Sequence, residues 1–188
     1  METRSLILAK ARFGDWKDMY RNVWSRPETA RYMMWRVTDS EEDARARMER
    51  TIAWQSGRDV WLVYEKSGGQ AIGWAGLEEL SPGVWQETGI ALGPDFVGRG
   101  YGRELLEKLV ETARMRGGEK FLCSVRAENA ASRGLVRACG FVPAGTERRT
   151  DRRDGSIYQL ELYQKHLQSE EETRKTNLYA GDTTENTI

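Results

Sequence analysis

The chain has 188 residues, with 29 Lys and Arg against 29 Asp and Glu and one histidine, so its formal net charge is zero. That length suits one domain with its own hydrophobic core and no need of disulfide or metal staples. The charge balance excludes a global field drawing the protein to nucleic acid or to an anionic membrane. Two cysteines, Cys123 and Cys139, lie in apolar runs without the paired spacing of a zinc site or a disulfide framework, and they read as buried free thiols. The N-terminal stretch lacks a signal-peptide core and no apolar run has membrane-spanning length, so the expectation is a soluble cytoplasmic protein.

Alternation around Leu6 and Leu8 predicts a first strand from Arg4 to Ala11, ending near Phe13-Gly14. Asp15 is the expected N-cap of a helix whose apolar face is Trp16, Met19, Tyr20, Val23 and Trp24, and Pro27 opens a short second helix through Ala30 to Trp35. Ser40 and the acidic turn Glu41-Glu42-Asp43 begin a third helix, running to about Gln55 with Gly57 near its end. Strands follow at Val60 to Tyr64 and Ala71 to Leu77, joined by the turn Ser67-Gly68-Gly69.

Pro82-Gly83 then turns the chain into its most informative stretch, a strand over Val84 to Leu92, three alternate glycines at 98, 100 and 102, and a helix striped by Leu105, Leu106, Leu109, Val110 and Ala113. That helix stops at Gly117-Gly118, and Phe121 to Val125 is the next strand. Asn129 N-caps a helix through Ala138, with Gly140 in its left-handed closing position. Closing strands around Phe141 to Thr146 and Ile157 to Tyr163 flank a turn at Asp154-Gly155. Residues 1–167 thus read as one domain and 168–188 as a polar, aperiodic tail.

Alternate glycines at a helix N-terminus strip side chains from unpaired N–H groups and the positive end of the helix dipole, which is the chemistry of a phosphate cradle or of a plain turn. The spacing is neither that of a dinucleotide fold, Gly-x-Gly-x-x-Gly near the first strand, nor that of a nucleotide P-loop ending in Gly-Lys-Ser/Thr.

At these residues the chain resembles the GNAT superfamily of acetyl-CoA-dependent N-acetyltransferases, and within it the RimJ/RimL-like branch. Val97-Gly98-Arg99-Gly100-Tyr101-Gly102 matches the family's pyrophosphate loop, Gln/Arg-x-x-Gly-x-Gly/Ala. Glu87-Thr88-Gly89-Ile90 with Pro94, Asn129-Ala130-Ala131-Ser132 with Gly140-Phe141, and the opening Arg4-Ser5-Leu6-Ile7-Leu8 resemble further motifs of the branch.

The resemblance implies an α/β (α+β) GNAT fold: a mixed, twisted sheet of about six to seven strands flanked by helices and splayed between strands four and five. Acetyl-CoA would be the donor, its pantetheine arm on backbone groups of Ile90, Ala91 and Leu92. Its pyrophosphate would sit on the loop of Val97, Gly98, Arg99, Gly100, Tyr101, Gly102 and Arg103, with Asn129 and Ser132 also at the cofactor.

Acetyl transfer to an amine needs a neutral amine, a stabilised oxyanion and a proton for the departing thiolate. Glu87 is the candidate base, since alternation puts it on one strand face with Trp85 and Gly89, although strand carboxylates are often only solvated. Val136 stands where many relatives carry a tyrosine acid, so Ser132 is the candidate for the proton returned to sulfur; a cap at Asn129 explains the same pair without catalysis. The oxyanion donor falls to a backbone N–H near Ile90.

Trp16, Trp24 and Trp61 read as core, while Trp35, Trp74 and Trp85 border the acceptor cleft by resemblance, where aromatic walls suit a neutral or cationic nitrogen. His166 reads as a surface residue, and the basic run Arg148, Arg149, Arg152 and Arg153, broken by Asp151 and Asp154, as a solvated hairpin rather than a nucleic-acid surface. The expectation is an enzyme that passes acetyl directly to a primary amine, of a small molecule or of a protein N-terminus. The competing reading is a non-catalytic acyl-CoA-binding module. No metal, membrane or nucleic acid is expected, and a homodimer is compatible with the resemblance.

Overall fold

A computed structural model describes residues 1–167; the predicted tail over 168–188 lies outside the described residues. Seven strands form one mixed sheet in the order β1-β2-β3-β4-β5-β7-β6. They are β1 Leu6–Ala9, β2 Val60–Glu65, β3 Ala71–Ser81, β4 Val84–Leu92, β5 Lys120–Arg126, β6 Val142–Thr150 and β7 Ile157–His166. Helices α1 Trp16–Met19, α2 Pro27–Ala30, α3 Glu41–Gln55, α4 Tyr101–Met115 and α5 Ala130–Ala138 complete it.

Two apolar clusters cover the sheet. The larger joins Leu105, Leu106, Leu109 and Ala113 of α4 to Leu77, Trp85, Phe121 and Tyr163 of the strands; the smaller joins Trp16, Met19, Val23 and Trp24 to Met48 of α3 and to Leu62 and Tyr64 of β2. Thus Trp16, Trp24 and Trp61 are core residues as expected, and both cysteines are buried free thiols.

Three departures from the predicted elements matter. The first helix widens after Met19 into a π turn over Tyr20–Trp24, closed by a Ser25 N–H to Tyr20 C=O bond of 3.1 Å. Asp15 makes no side-chain cap: its carboxylate accepts instead from the Tyr64 hydroxyl at 2.6 Å and the Arg12 N–H at 2.7 Å. The second helix ends at Ala30, short of Trp35, because the Arg153 guanidinium donates to the Ala30 and Trp35 carbonyls at 2.9 and 3.3 Å and holds the intervening segment as a loop.

The feature that positions the site is the break between β4 and β5. These strands are parallel and pair only over Val84 with Lys120, Trp85 with Phe121 and Gln86 with Leu122. Beyond Gln86 they part, while β4 continues along β3 to Leu92 and β5 continues along β7 to Arg126. The splayed sheet implied by the resemblance is therefore present, with an unpaired edge of β4 facing an unpaired edge of β5.

Candidate active site

Glu87 is the first residue past the last β4–β5 pair. Pairing of Leu77 with Glu87 and of Gly76 with Gly89 leaves Thr88 as an extra residue, a bulge that ends the alternation assumed from sequence. Gly89 takes φ +135°, and a Cβ there would stand 2.6 Å from the Trp74 ring, so the bulge requires glycine. Across the gap, the Ser124 N–H reaches the Glu87 carboxylate at 3.4 Å. Burial pushes the Glu87 carboxyl up to about 8, with the Ser124 and Gly89 N–H groups opposing it.

The unpaired edge of β4 can be read from its bonding. Gly93 N–H donates to Ile72 C=O, so by two-residue alternation the backbone of Ala91 is turned to β3, while Ile90 and Leu92 present theirs to the gap. Of the three residues predicted for a pantetheine arm, Ile90 and Leu92 are available. Ala91, 3 % exposed and committed to β3, is a correction.

Beyond a short turn over Pro94–Phe96, the glycine-rich loop leads into α4. Gly98 and Gly100 take φ of +77° and +84°, with open space where a Cβ would stand. The N–H groups of Gly98, Arg99, Gly100, Tyr101 and Gly102 make no hydrogen bond among the described residues, whereas those of Arg103 and Glu104 close on Gly100 C=O. The residues present fit a diphosphate group: unsatisfied donors, no side chains above them and a helix dipole behind.

The side chains of this loop are committed elsewhere. Glu65, at the end of β2 and 6 % exposed, accepts from the Tyr101 hydroxyl at 2.6 Å and pairs with the Arg99 guanidinium at 3.1 Å. Arg103 pairs with Glu107 at 2.7 Å. Both arginines of the predicted pyrophosphate loop are thus turned to carboxylates of the protein. Val97 is exposed, so the side-chain donor usual at that position is replaced by a solvated apolar group. Glu65 escaped the sequence reading, because a strand-end glutamate carries no motif.

A cleft of about 910 Å³ opens from the β4–β5 gap toward α3 and the segment after α2. Its walls include Glu87, Thr88, Gly89, Ile90, Asn129, Ser132, Trp35 and Trp74. Asn129 accepts from the Ser132 N–H at 3.1 Å, which makes it the N-cap of α5, while the Ser132 hydroxyl makes no hydrogen bond among the described residues. Val136 is buried and lines the same wall, so that position is apolar.

Trp85 does not belong to the cleft. It is 5 % exposed in the larger core, under Arg116 and against Gly118, because the pleat turns Gln86 to the cleft and its neighbour to α4; its expected acceptor role is corrected. Trp54, missed from sequence, stacks edge-on to Trp74 at 6.2 Å, and Trp35 lies 6.0 Å from Trp74. His166 is exposed at the end of β7. The basic run is a latch as well as a hairpin: Asp151, 1 % exposed, pairs with Arg126 and Arg153 at 2.7 Å, and Arg153 ties the hairpin to the segment after α2.

This fold and site define the GNAT class, and comparison with known proteins agrees: the family described as Acetyltransferase (GNAT) domain matches residues 5–142. The chain belongs to the GNAT acetyltransferase family. It is 38 % identical over 97 residues to N-alpha-acetyltransferase RimI of Mycobacterium tuberculosis, covering 50 % of this chain and 60 % of that protein. It is 30 % identical over 130 residues to the L-methionine sulfoximine/L-methionine sulfone acetyltransferase of Pseudomonas paraeruginosa, covering 66 % and 70 %.

The solved structure of RimL, a ribosomal alpha-N-protein acetyltransferase in complex with coenzyme A, superimposes with a TM-score of 0.71 at 20 % identity, covering 88 % of this chain and 96 % of that one. The likeness to RimL is one of fold. The chain spans 60 % or less of the length of the first curated relatives it matches. No described helix is long and apolar enough to cross a membrane, and no cluster of potential metal ligands occurs among the described residues.

Proposed function

We propose that this chain is an N-acetyltransferase that passes acetyl from acetyl-CoA directly to a primary amine in a ternary complex. The observation that carries the reading is a carboxylate at the crotch of the β4–β5 gap, raised to about 8, between the free backbone edge of β4 and a cleft open on its far side.

Acetyl-CoA, when bound, supplies an acyl group activated as a thioester. The N–H groups from Gly98 to Gly102 would hold the diphosphate, and the backbone groups of Ile90 and Leu92 would pair with the pantetheine amides as an added strand does. The Ile90 N–H, turned into the gap, donates to the acyl oxygen. Glu87 accepts the proton of the incoming ammonium, directly or through one water; its raised proton affinity makes it a stronger base than an ordinary glutamate. Ser132 offers its hydroxyl proton toward the departing sulfur, since Val136 has none to give.

A covalent route through cysteine is disfavoured. Burial raises both thiols, Cys123 well above the ordinary range, and neither has a histidine beside it.

A thiol-release assay across small amines, amino acids and peptide N-termini, run beside acetyl-CoA binding, tests the proposal. Acceptor-dependent release supports it; tight binding with no release for any amine supports a non-catalytic acyl-CoA-binding module. The acceptor, a small amine or a protein N-terminus, is met in the cytoplasm on this reading.

A further inference from the structure

The far end of the cleft is lined by donors. Arg47, on α3, lies against two indoles, its guanidinium carbon 4.7 Å from the Trp24 ring centroid and 4.9 Å from that of Trp35. One edge donates to the Thr38 hydroxyl at 2.9 Å, and the cation makes no ion pair among the described residues. Asp43, one turn earlier on the helix, is engaged with Ser40. A half-buried arginine with no ion-pair partner among the described residues is costly, and here burial, with the Arg50 cation adding to it, lowers its proton affinity to about 10.

Its neighbours in the cleft have unfilled donors of their own. Gln55 is 2 % exposed; its amide oxygen accepts from the Ala11 N–H at 2.8 Å, which fixes the amide orientation and leaves the buried NH₂ without a partner. The Trp35 indole N–H is likewise buried, and neither it nor the Gln55 NH₂ has a partner among the described residues. Both line the same cleft as Arg47. The aromatic faces that sequence suggested for a cationic amine are in part already taken, since Arg47 covers both Trp24 and Trp35.

Other charges of the cleft do not reverse this pattern. Glu87 is the base, Glu78 accepts from Gln86 at 2.5 Å, Arg126 and Arg149 are paired with Asp151 and Glu147, and Arg152 is an exposed cation at the cleft wall. Trp74 stands over Gly89, with Trp35 and then Arg47 behind it, so the donor cluster is separated from the acetyl-transfer point by the two indoles.

Resting on the acetyltransferase reading, we infer that the acceptor is an amine that also carries a carboxylate set several bonds from the reacting nitrogen, and that Arg47 holds that carboxylate. A planar guanidinium held against rings is preorganised for in-plane, two-point binding of such a group. Polyamines, which present a second cation to the same donors, are excluded.

The test uses matched pairs on the full chain: L-lysine against cadaverine, and the C-terminally amidated dipeptides Ser-Asp-NH₂ against Ser-Asn-NH₂, the second pair separating a peptide source from a free amino acid. In the parent, kcat/KM is expected to favour the carboxylated member of at least one pair by about tenfold or more. In Arg47→Met that ratio collapses toward one while acetyl-CoA affinity and the melting transition stay near the parent, and Arg47→Lys restores part of the ratio.

Preference for cadaverine, or a ratio unchanged in Arg47→Met, overturns the inference. Tryptophan-fluorescence titration with each compound reads the subsite without turnover. If no amine gives thiol release, the acetyltransferase reading fails on its own, while a carboxylate-dependent quench lost in Arg47→Met still supports the subsite and its absence sinks it. Should Arg47→Met fail to fold, the same ratio and quench are read in Arg47→Lys, where an undiminished carboxylate preference counts against the inference.

Discussion

Glu87 owes its chemistry to a one-residue insertion. Had β4 run past Thr88 without a bulge, paired to β5 throughout, its carboxylate would be an ordinary strand charge. At the crotch, desolvation raises it and the Ser124 and Gly89 N–H donors do not fully offset the rise. The pH consequence has a definite sign. Between its ordinary 4.5 and about 8 the folded protein retains a proton that the unfolded chain has released, so this group subtracts stability as pH rises through that window. Glu87→Gln is expected to melt above the parent at pH values over 8, with the difference shrinking toward pH 4.5. The same variant should lose about a hundredfold or more in kcat/KM and the inflection near 8 in its pH profile. An unchanged profile would remove Glu87 as the base.

The glycine-rich loop shows how an element is held when its own side chains must stay out of the way. Backbone donors bind best when preorganised, and the buried Glu65 supplies that by drawing Arg99 and Tyr101 back to β2. Glu65→Gln is expected to weaken acetyl-CoA binding by about three- to tenfold, measured by calorimetry, with a smaller effect for Tyr101→Phe. The hairpin latch is the second device of this kind. Hydrogen bonds from Arg153, then Arg126, hold the Asp151 carboxyl well below the usual range. Its contribution is therefore present above the ordinary 3.8 and lost as pH falls below it. Asp151→Asn should lower the melting temperature at neutral pH, a deficit that narrows in acid. An equal deficit at both pH values would mean the ion pairs are not responsible.

Across the molecule, three residue pairs are all that join β1–β4 to β5–β7–β6 through the sheet. Helix α4 bridges the halves on one face, and on the other the Arg153 latch joins the hairpin of β6 and β7 to the segment after α2. A ligand lying along both edges should stabilise the whole domain: at a hundredfold excess over its Kd, acetyl-CoA adds about 2.7 kcal/mol by mass action. That corresponds to roughly 5–10 °C in Tm for a chain of this size. Amide exchange should slow along residues 88–92 and 98–102 together; slowing of the loop alone would mean that the gap is not used.

Several parts of this protein were legible in the chain itself. Strand alternation, the 3.6-residue stripe of α4, the cap at Asn129 and the alternate glycines are local patterns, set by pleat, helical period and φ, and they appear where sequence places them. The family motifs led to Glu87 for the same reason, being short and contiguous. What sequence could not carry was decided by contacts between distant segments. The bulge at Thr88 depends on pairing with β3, Trp85 and Trp54 exchange roles through the pleat and through α3, and Arg99 is claimed by a carboxylate 34 positions away. The unpaired Arg47 against two indoles exists only because a π turn, α3 and the loop after α2 converge there. Local rules select elements; burial and pairing across the fold decide which of their side chains are left free to meet a substrate.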